Sequence, residues 1–272
     1  MNSVAPSPSS AVTTTAAAVP STLVLIPTYN ERENLPGLVR DVIAHPGFRV
    51  MVVDDRSPDG TGEVADALAR EFPDRVEVLH RTGKKGLGRS YIEALTLAHA
   101  RTEDFVCQMD ADLSHDPKYL PEMVAMAQRG GHDLVIGSRY LQGVSVVNWP
   151  LHRLILSTFA NRYIRAVTRM PVADCTSGFR CWRREALARV PLERIVSDGY
   201  AFLVEMLYEA HRGGCSVGEV AQAGSTSAIA GVQDDLVSVV DQDPASCQAK
   251  AVGGTSDENA SHGLPELPPS RC

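Results

Sequence analysis

The chain has 272 residues, 44% hydrophobic and 22% charged, which allows one large domain or two small ones with a sizeable core and excludes a collagen-like, coiled-coil or wholly disordered protein. Lys plus Arg number 26 against 33 Asp plus Glu, and the net charge of -7 provides no overall attraction to nucleic acid. No run of about 18 apolar residues predicts a membrane span. The six cysteines include no CxxC pair, which argues against a zinc ribbon or thioredoxin motif and for reduced thiols in a cytosolic protein.

Residues 1–21 are uncharged and rich in Ser, Thr, Ala, Val and Pro, which predicts a disordered lead-in without the features of a signal peptide. A globular texture runs over 22–220. Thr22-Leu-Val-Leu-Ile26 predicts a buried strand, and Asn30 the cap of a helix with Leu35, Leu38, Val39, Val42 and Ile43 on its apolar face. Further strands are predicted at Phe48 to Val53, Val76 to His80, Asp104 to Met109, Asp133 to Ile136 and Cys215 to Val220. Helices are predicted at Gly62 to Phe72, Leu87 to Ala100 and Pro117 to Gln128, the last with Pro at its start. This alternation implies an α/β fold with a mostly parallel sheet flanked by helices, whose ligands bind beyond the carboxyl ends of the strands. Residues 221–272 contain no aromatic side chain and only Lys250 and Arg271 as basic ones; they read as an acidic, mostly disordered tail with one weak segment at Leu236 to Val240.

The polar motifs fall at the predicted strand ends. Pro27-Thr-Tyr-Asn-Glu31 suits a base or ribose, but taken alone reads first as a helix cap. Asp54 and Asp55 suit nucleoside hydroxyls, beside an ordinary Ser57-Pro-Asp-Gly60 turn. The loop Arg81-Thr-Gly-Lys-Lys-Gly-Leu-Gly-Arg89, with Lys85 and Gly86, either receives phosphate at a helix start or is a solvated loop. In Asp110-Ala111-Asp112 two carboxylates separated by one small residue suit Mg²⁺ or Mn²⁺ bridged to a diphosphate. His115, beside them, reads as incidental. Arg139 suits a phosphate or a plain surface position. Residues 148–170 combine Trp149, Leu154, Phe159, Tyr163 and Val167 with Arg153, Arg162, Arg165 and Arg169 and no acid, which fits a membrane interface or a core helix with a basic outer face. Asp174-Cys-Thr-Ser-Gly-Phe-Arg180 and the segment Ser197 to Glu205 offer polar groups to an acceptor pocket, with Glu205 also readable as a salt-bridged core carboxylate.

Taken in order, PTYNE, VDDRSPDGT, RTGKKGLG, MDADLSHDP, GSRY, WPLHR, DCTSGFR and DGYAFLVE resemble the inverting family 2 glycosyltransferases of GT-A fold, within them the polyprenol- or dolichol-phosphate mannosyltransferase type, over about Leu23 to Val220. The resemblance implies transfer of mannose from GDP-mannose to polyprenyl phosphate at the cytoplasmic face of a membrane. It implies a nucleotide site of Pro27, Tyr29, Glu31, Asp54, Asp55, Lys85, Gly86, Asp110, Ala111 and Asp112, with Asp110 and Asp112 holding the metal. It gives catalytic roles to Asp112, Arg139 and Arg153, and places Trp149, Arg153, Arg162 and Arg165 against membrane and acceptor. A separate membrane-anchoring subunit is compatible with it. A lipid phosphate is already an anion, so no strong general base is implied.

Two departures qualify the likeness. Ser114 stands where relatives often carry Gln, a better ligand. After Val220 the family's next apolar strand and its Arg-x-x-Gly-x-Ser-Lys loop are missing, and the acidic tail resembles out-of-frame translation or a divergent terminus; reduced or lost activity is the expectation, tested by reading the coding DNA in the other frames. The alternatives are a sister transferase using UDP-glucose or another sugar nucleotide, a non-catalytic nucleotide-binding or membrane-associating module and, more remotely, a nucleotidyltransferase.

Overall fold

The computed structural model describes residues 19–82, 86–141 and 151–222, with the backbone alone at 151–157 and Tyr200. Lys85 and Trp149 lie outside the described residues, as do the side chain of Arg153 and the tail from residue 223. The elements in chain order are β1 (Thr22–Thr28), α1 (Leu35–Ile43), β2 (Phe48–Asp54), α2 (Thr61–Glu71), β3 (Val76–His80), α3 (Leu87–His99), β4 (Phe105–Gln108), α4 (Leu120–Gly130), β5 (Leu134–Ser138), α5 (Leu151–Thr168), β6 (Arg180–Arg183), α6 (Arg184–Leu187), α7 (Gly199–Arg212) and β7 (Val217–Ala221).

The strands form one seven-stranded sheet in the order β3-β2-β1-β4-β6-β5-β7. Every observed pairing is parallel except those of β6, which runs antiparallel between β4 and β5. All seven residues of β1 are buried, as a strand covered by helices on both faces must be. Leu23 and Leu25 enter a core shared with α3 and α7, while Val24 and Ile26 enter the opposite core, shared with α1, α2 and α4. Chain order departs from spatial order on either side of β1, whose neighbours are β2 and β4. A crevice for ligands opens beyond the carboxyl ends of such a pair of strands.

Several local expectations change. Asn30 does not cap α1: it adopts a left-handed conformation, and Asn34 occupies the cap position with its side chain donating to Glu31 Oε2 at 2.9 Å instead of to the helix. Pro117–Tyr119 forms a 3-10 turn before α4, with Asp116 accepting from the Lys118 amide at 3.0 Å. Strand β6 escapes local reading because Arg-Cys-Trp-Arg contains no apolar run and buries an arginine. Globular packing continues to Ala221 in β7 and to Gln222, 2% exposed.

Candidate active site

Three of the expected carboxylates meet at the crevice. Glu31 follows β1, and Asp110 and Asp112 follow β4. Three of the four non-glycine residues with positive φ among those described, Asn30 at 62°, Arg56 at 58° and Leu113 at 62°, lie in the loops after β1, β2 and β4. Each such conformation costs on the order of 1–3 kcal/mol and persists where surrounding contacts impose it, typically at functional loops.

Those contacts are present. The Asp112 carboxylate accepts the Ser114 amide at 2.9 Å, closing the turn through Leu113. The buried Gln222 side chain donates to the Ser114 carbonyl at 2.8 Å, so the end of β7 fastens this turn from 108 residues away. The Tyr91 hydroxyl on α3 donates to Asp110 Oδ1 at 2.8 Å, its ring lying parallel to Phe202 with centroids 6.1 Å apart. His115 is not incidental: its Nδ1 accepts the Asp110 amide at 3.0 Å, its ring stacks on Phe179, and it lies 3.9 Å from the Asp110 carboxylate. Gly178 gives room for that carboxylate, since a Cβ there would stand 3.2 Å from Asp110 Oδ2. Tyr91, His115, Gly178 and Gln222 escaped sequence reading because each acts through a tertiary contact with Asp110 or with the turn that follows it.

The charges at the rim repel one another. Burial raises the Glu31 carboxyl above its ordinary range, and Asp112, Asp110 and Asp59 push the same way against the Asn34 hydrogen bond. Asp110 is likewise raised, first by burial and then by Asp112, while His115, Tyr91 and Arg139 oppose the shift. The same surroundings hold the buried Tyr91 phenol well above its usual range, burial first and the Asp110 charge second.

Other expected site residues hold partners within the fold. Asp54 is buried and accepts from Thr28 Oγ1 at 3.3 Å and Ser57 Oγ at 2.6 Å, tying the loops after β1 and β2 together. Asp55 is buried in an ion pair with Arg81, which also bonds Ser90 and Glu93. Pro27 and Ala111 are buried, and Tyr29 is 38% exposed at the rim. Gly86 adopts φ 88° immediately before α3, and any Cβ there would strike the Asp198 carboxylate, which accepts from the Gly88 and Gly199 amides. Arg139 forms a bidentate ion pair with fully buried Asp174, at 2.7 and 2.9 Å, and bonds Thr176; its charge still reaches Asp110. Glu205 accepts the Val196 and Ser197 amides, bracing the approach to α7, and among the described residues it forms no salt bridge. Arg180 is wholly buried, donating to the carbonyls of Ser177, Cys175 and Leu203, and burial pulls its pKa down to about 10.

The donor set fits a hard divalent cation. Asp110 and Asp112 offer carboxylate oxygens, the rim gathers like charge, and Gly178 leaves room beside Asp110. Among the described residues no three His, Cys, Asp or Glu side chains form a complete metal cage. Two carboxylates supplemented by substrate phosphate oxygens and water are the usual means of holding Mg²⁺.

The expected basic helix forms as α5. Phe159, Tyr163 and Val167, four residues apart, are 67%, 56% and 57% exposed, and Arg162, Arg165 and Arg169 are exposed beside them. Among the described residues no helix is long and apolar enough to cross a membrane.

Comparison with known proteins agrees with this arrangement. Residues 23–190 match the model of Glycosyl transferase family 2. The chain is 47% identical over 200 residues to a polyprenol monophosphomannose synthase of Mycolicibacterium smegmatis, covering 73% of this chain and 75% of that protein. It is 43% identical over 201 residues to an undecaprenyl-phosphate mannosyltransferase of Micrococcus luteus, covering 73% of this chain and 81% of the relative. A crystal structure of glucosyl-3-phosphoglycerate synthase from Mycobacterium tuberculosis, in complex with Mn²⁺ and UDP-glucose, shares the fold with a TM-score of 0.59 at 20% identity, covering 80% of this chain and 74% of that one. A sheet with carboxylates at its switch point, a matching family model over most of the chain and two relatives above 40% identity lead to one assignment: the chain belongs to glycosyltransferase family 2 and is a glycosyltransferase.

Proposed function

We propose that this glycosyltransferase moves mannose from GDP-mannose to a polyprenyl phosphate with inversion, aided by Mg²⁺ or Mn²⁺, while resting on the cytoplasmic face of a membrane. The observation that carries the reading is the placement of Asp110 and Asp112 at the switch-point crevice, with Tyr91 and His115 orienting the first of them. The two relatives named for mannosyl transfer to isoprenoid phosphates supply the acceptor class and sugar.

In the reaction a phosphate oxygen of the acceptor forms a bond to the anomeric carbon as that carbon's bond to the diphosphate breaks. The bonding electrons leave with the diphosphate, which departs as GDP. A bound divalent cation supplies positive charge to the departing diphosphate and would be held by Asp110 and Asp112. Tyr29 and Glu31 flank the donor at the rim after β1. Arg139, locked by Asp174, presents a fixed positive charge near the reacting phosphates, and preorganised charge of this kind stabilises a developing anion without reorganising during the reaction. The acceptor arrives ionised, so the chain needs no base to activate it.

The exposed Phe159, Tyr163 and Val167 stripe beside three arginines suits an interfacial helix on anionic lipid. Residues 223–272 lie outside the described residues, so the expectation of a missing diphosphate loop stands as a matter for assay.

The deciding experiment is transfer of labelled mannose from GDP-mannose to a short polyprenyl phosphate, with and without Mn²⁺, beside a parallel assay with UDP-glucose. Mannosyl product made only with metal supports the proposal. Glucose transfer alone, or nucleotide binding without turnover, refutes it.

A further inference from the structure

The carboxyl ends of β5 and β7 reach beneath the turn that carries Asp112. The two strands pair in parallel, with Gly137 opposite Val220 and Ser138 opposite Ala221. The backbone amide of Gln222 then donates to the Ser138 carbonyl at 2.9 Å, which carries the ladder one residue past β7 and fixes where the Gln222 side chain begins. That side chain is 2% exposed. A buried carboxamide is unfavourable unless it is hydrogen-bonded, and an apolar side chain of similar size would fill the same space without that penalty. The Gln222 carboxamide donates to the Ser114 carbonyl at 2.8 Å. Ser114 is therefore gripped at both backbone groups, since its own amide donates to Asp112 Oδ1 at 2.9 Å. Between them Leu113 keeps φ at 62°, a strained conformation that persists only while its surroundings impose it. Gly137 makes the room for this contact: a Cβ there would stand 3.1 Å from Gln222 Oε1 and 2.6 Å from Phe179 Cδ1. Phe179 in turn stacks on His115 with centroids 5.0 Å apart, and His115 accepts the Asp110 amide. Gln222 and Phe179 thus share one glycine, the first leading to the turn of Asp112 and the second to Asp110.

We infer that Gln222 is a positioning residue for divalent-cation binding: acting through Ser114, it holds the Asp112 carboxylate in place beside Asp110. With the Ser114 carbonyl released, the turn is free to relax at Leu113, and the amide that aims the Asp112 carboxylate moves with it. The inference rests on the reading of Asp110 and Asp112 as the metal-holding pair.

Titration of the whole chain with Mn²⁺, followed by electron paramagnetic resonance without sugar nucleotide or acceptor, tests the inference in wild type, Gln222→Met and Gln222→Asn. Methionine fills the same length without a donor, and asparagine keeps the carboxamide but ends one methylene short of Ser114. Both variants should bind Mn²⁺ about tenfold more weakly, the usual effect of losing a group that orients a metal-binding carboxylate. Residue 222 joins the sheet through its backbone, which neither substitution alters, and a melting profile close to that of wild type verifies the fold. A glutamine with a merely structural role would lower the melting temperature and leave Mn²⁺ affinity unmoved. Wild-type affinity in either folded variant overturns the inference while leaving the metal reading intact. Absence of Mn²⁺ binding by the wild-type chain overturns the metal reading itself and removes the inference with it.

Discussion

Removing one hydroxyl group, in Tyr91→Phe, tests whether the carboxylate at the end of β4 is held for a purpose. The phenol is fully buried on α3 and donates to Asp110 Oδ1 at 2.8 Å. A hydrogen bond to a charged group contributes about 1.5–3 kcal/mol. Asp110 is 29% exposed on its side chain, so water replaces part of the lost bond and the lower end of that range applies. At 1.4 kcal/mol per decade, metal affinity should fall about tenfold, in line with the usual effect of losing a partner of a metal-binding carboxylate. Phenylalanine keeps the ring packing against Phe202, so the loss of stability should not exceed the roughly 1.5 kcal/mol of the hydrogen bond itself. The hydroxyl also lowers the pKa of Asp110, opposing the rise caused by burial and Asp112. Its removal raises that pKa further. Activity that needs the ionised carboxylate should then lose its acid side at higher pH than in the wild type. Mn²⁺ titration followed by electron paramagnetic resonance, together with a pH–rate profile, measures both effects. Unchanged Mn²⁺ affinity with an unmoved acid limb would refute the orienting role of Tyr91.

Gly178→Ala places a methyl group 3.2 Å from Asp110 Oδ2 and should reduce turnover about tenfold with little change in melting temperature; turnover equal to wild type contradicts the crowding argument. Because Glu31 and Asp110 have raised pKa values in the fold, the folded state binds more protons than the unfolded chain, and their contribution to stability falls as pH rises from the ordinary carboxylate range through the raised values. Mn²⁺ at about a hundred times its dissociation constant should therefore stabilise the protein by about 2.7 kcal/mol near neutral pH, and by less in acid, where protons compete for the carboxylates; thermal melts that show no metal effect at either pH contradict this. Phe159→Ser with Tyr163→Ser removes exposed apolar surface from α5 and should weaken vesicle binding by roughly tenfold or more at constant charge, as read by co-sedimentation. Arg180→Met leaves three carbonyls without their buried donor and should cost about 3 kcal/mol in urea unfolding; a change below about 1 kcal/mol would show that the guanidinium is dispensable to the core.

Much of the fold was legible because its signals are local. Buried runs such as Leu23 to Ile26, spaced by amphipathic stretches, reveal parallel strands and covering helices through periodicity alone. The carboxylates of the rim were legible for a related reason: Glu31, Asp110 and Asp112 directly follow strands, and strand ends are where such sheets bind. Asp54 and Asp55 share that position but not that freedom. Their carboxylates are engaged by Ser57 and Thr28 and by Arg81, which strand spacing does not reveal.

The sequence by itself determined the strand–helix alternation, the acidic pair after the fourth strand and the basic, acid-free character of α5, since composition and period carry each of these. Only the tertiary structure decided that β6 inserts antiparallel, which acids already hold partners within the fold, and that Tyr91, His115, Gly178 and Gln222 converge on Asp110 and the turn after it. The reason is chain separation: the bond from Gln222 to Ser114 spans 108 residues, and such a pairing leaves no periodic trace at either end.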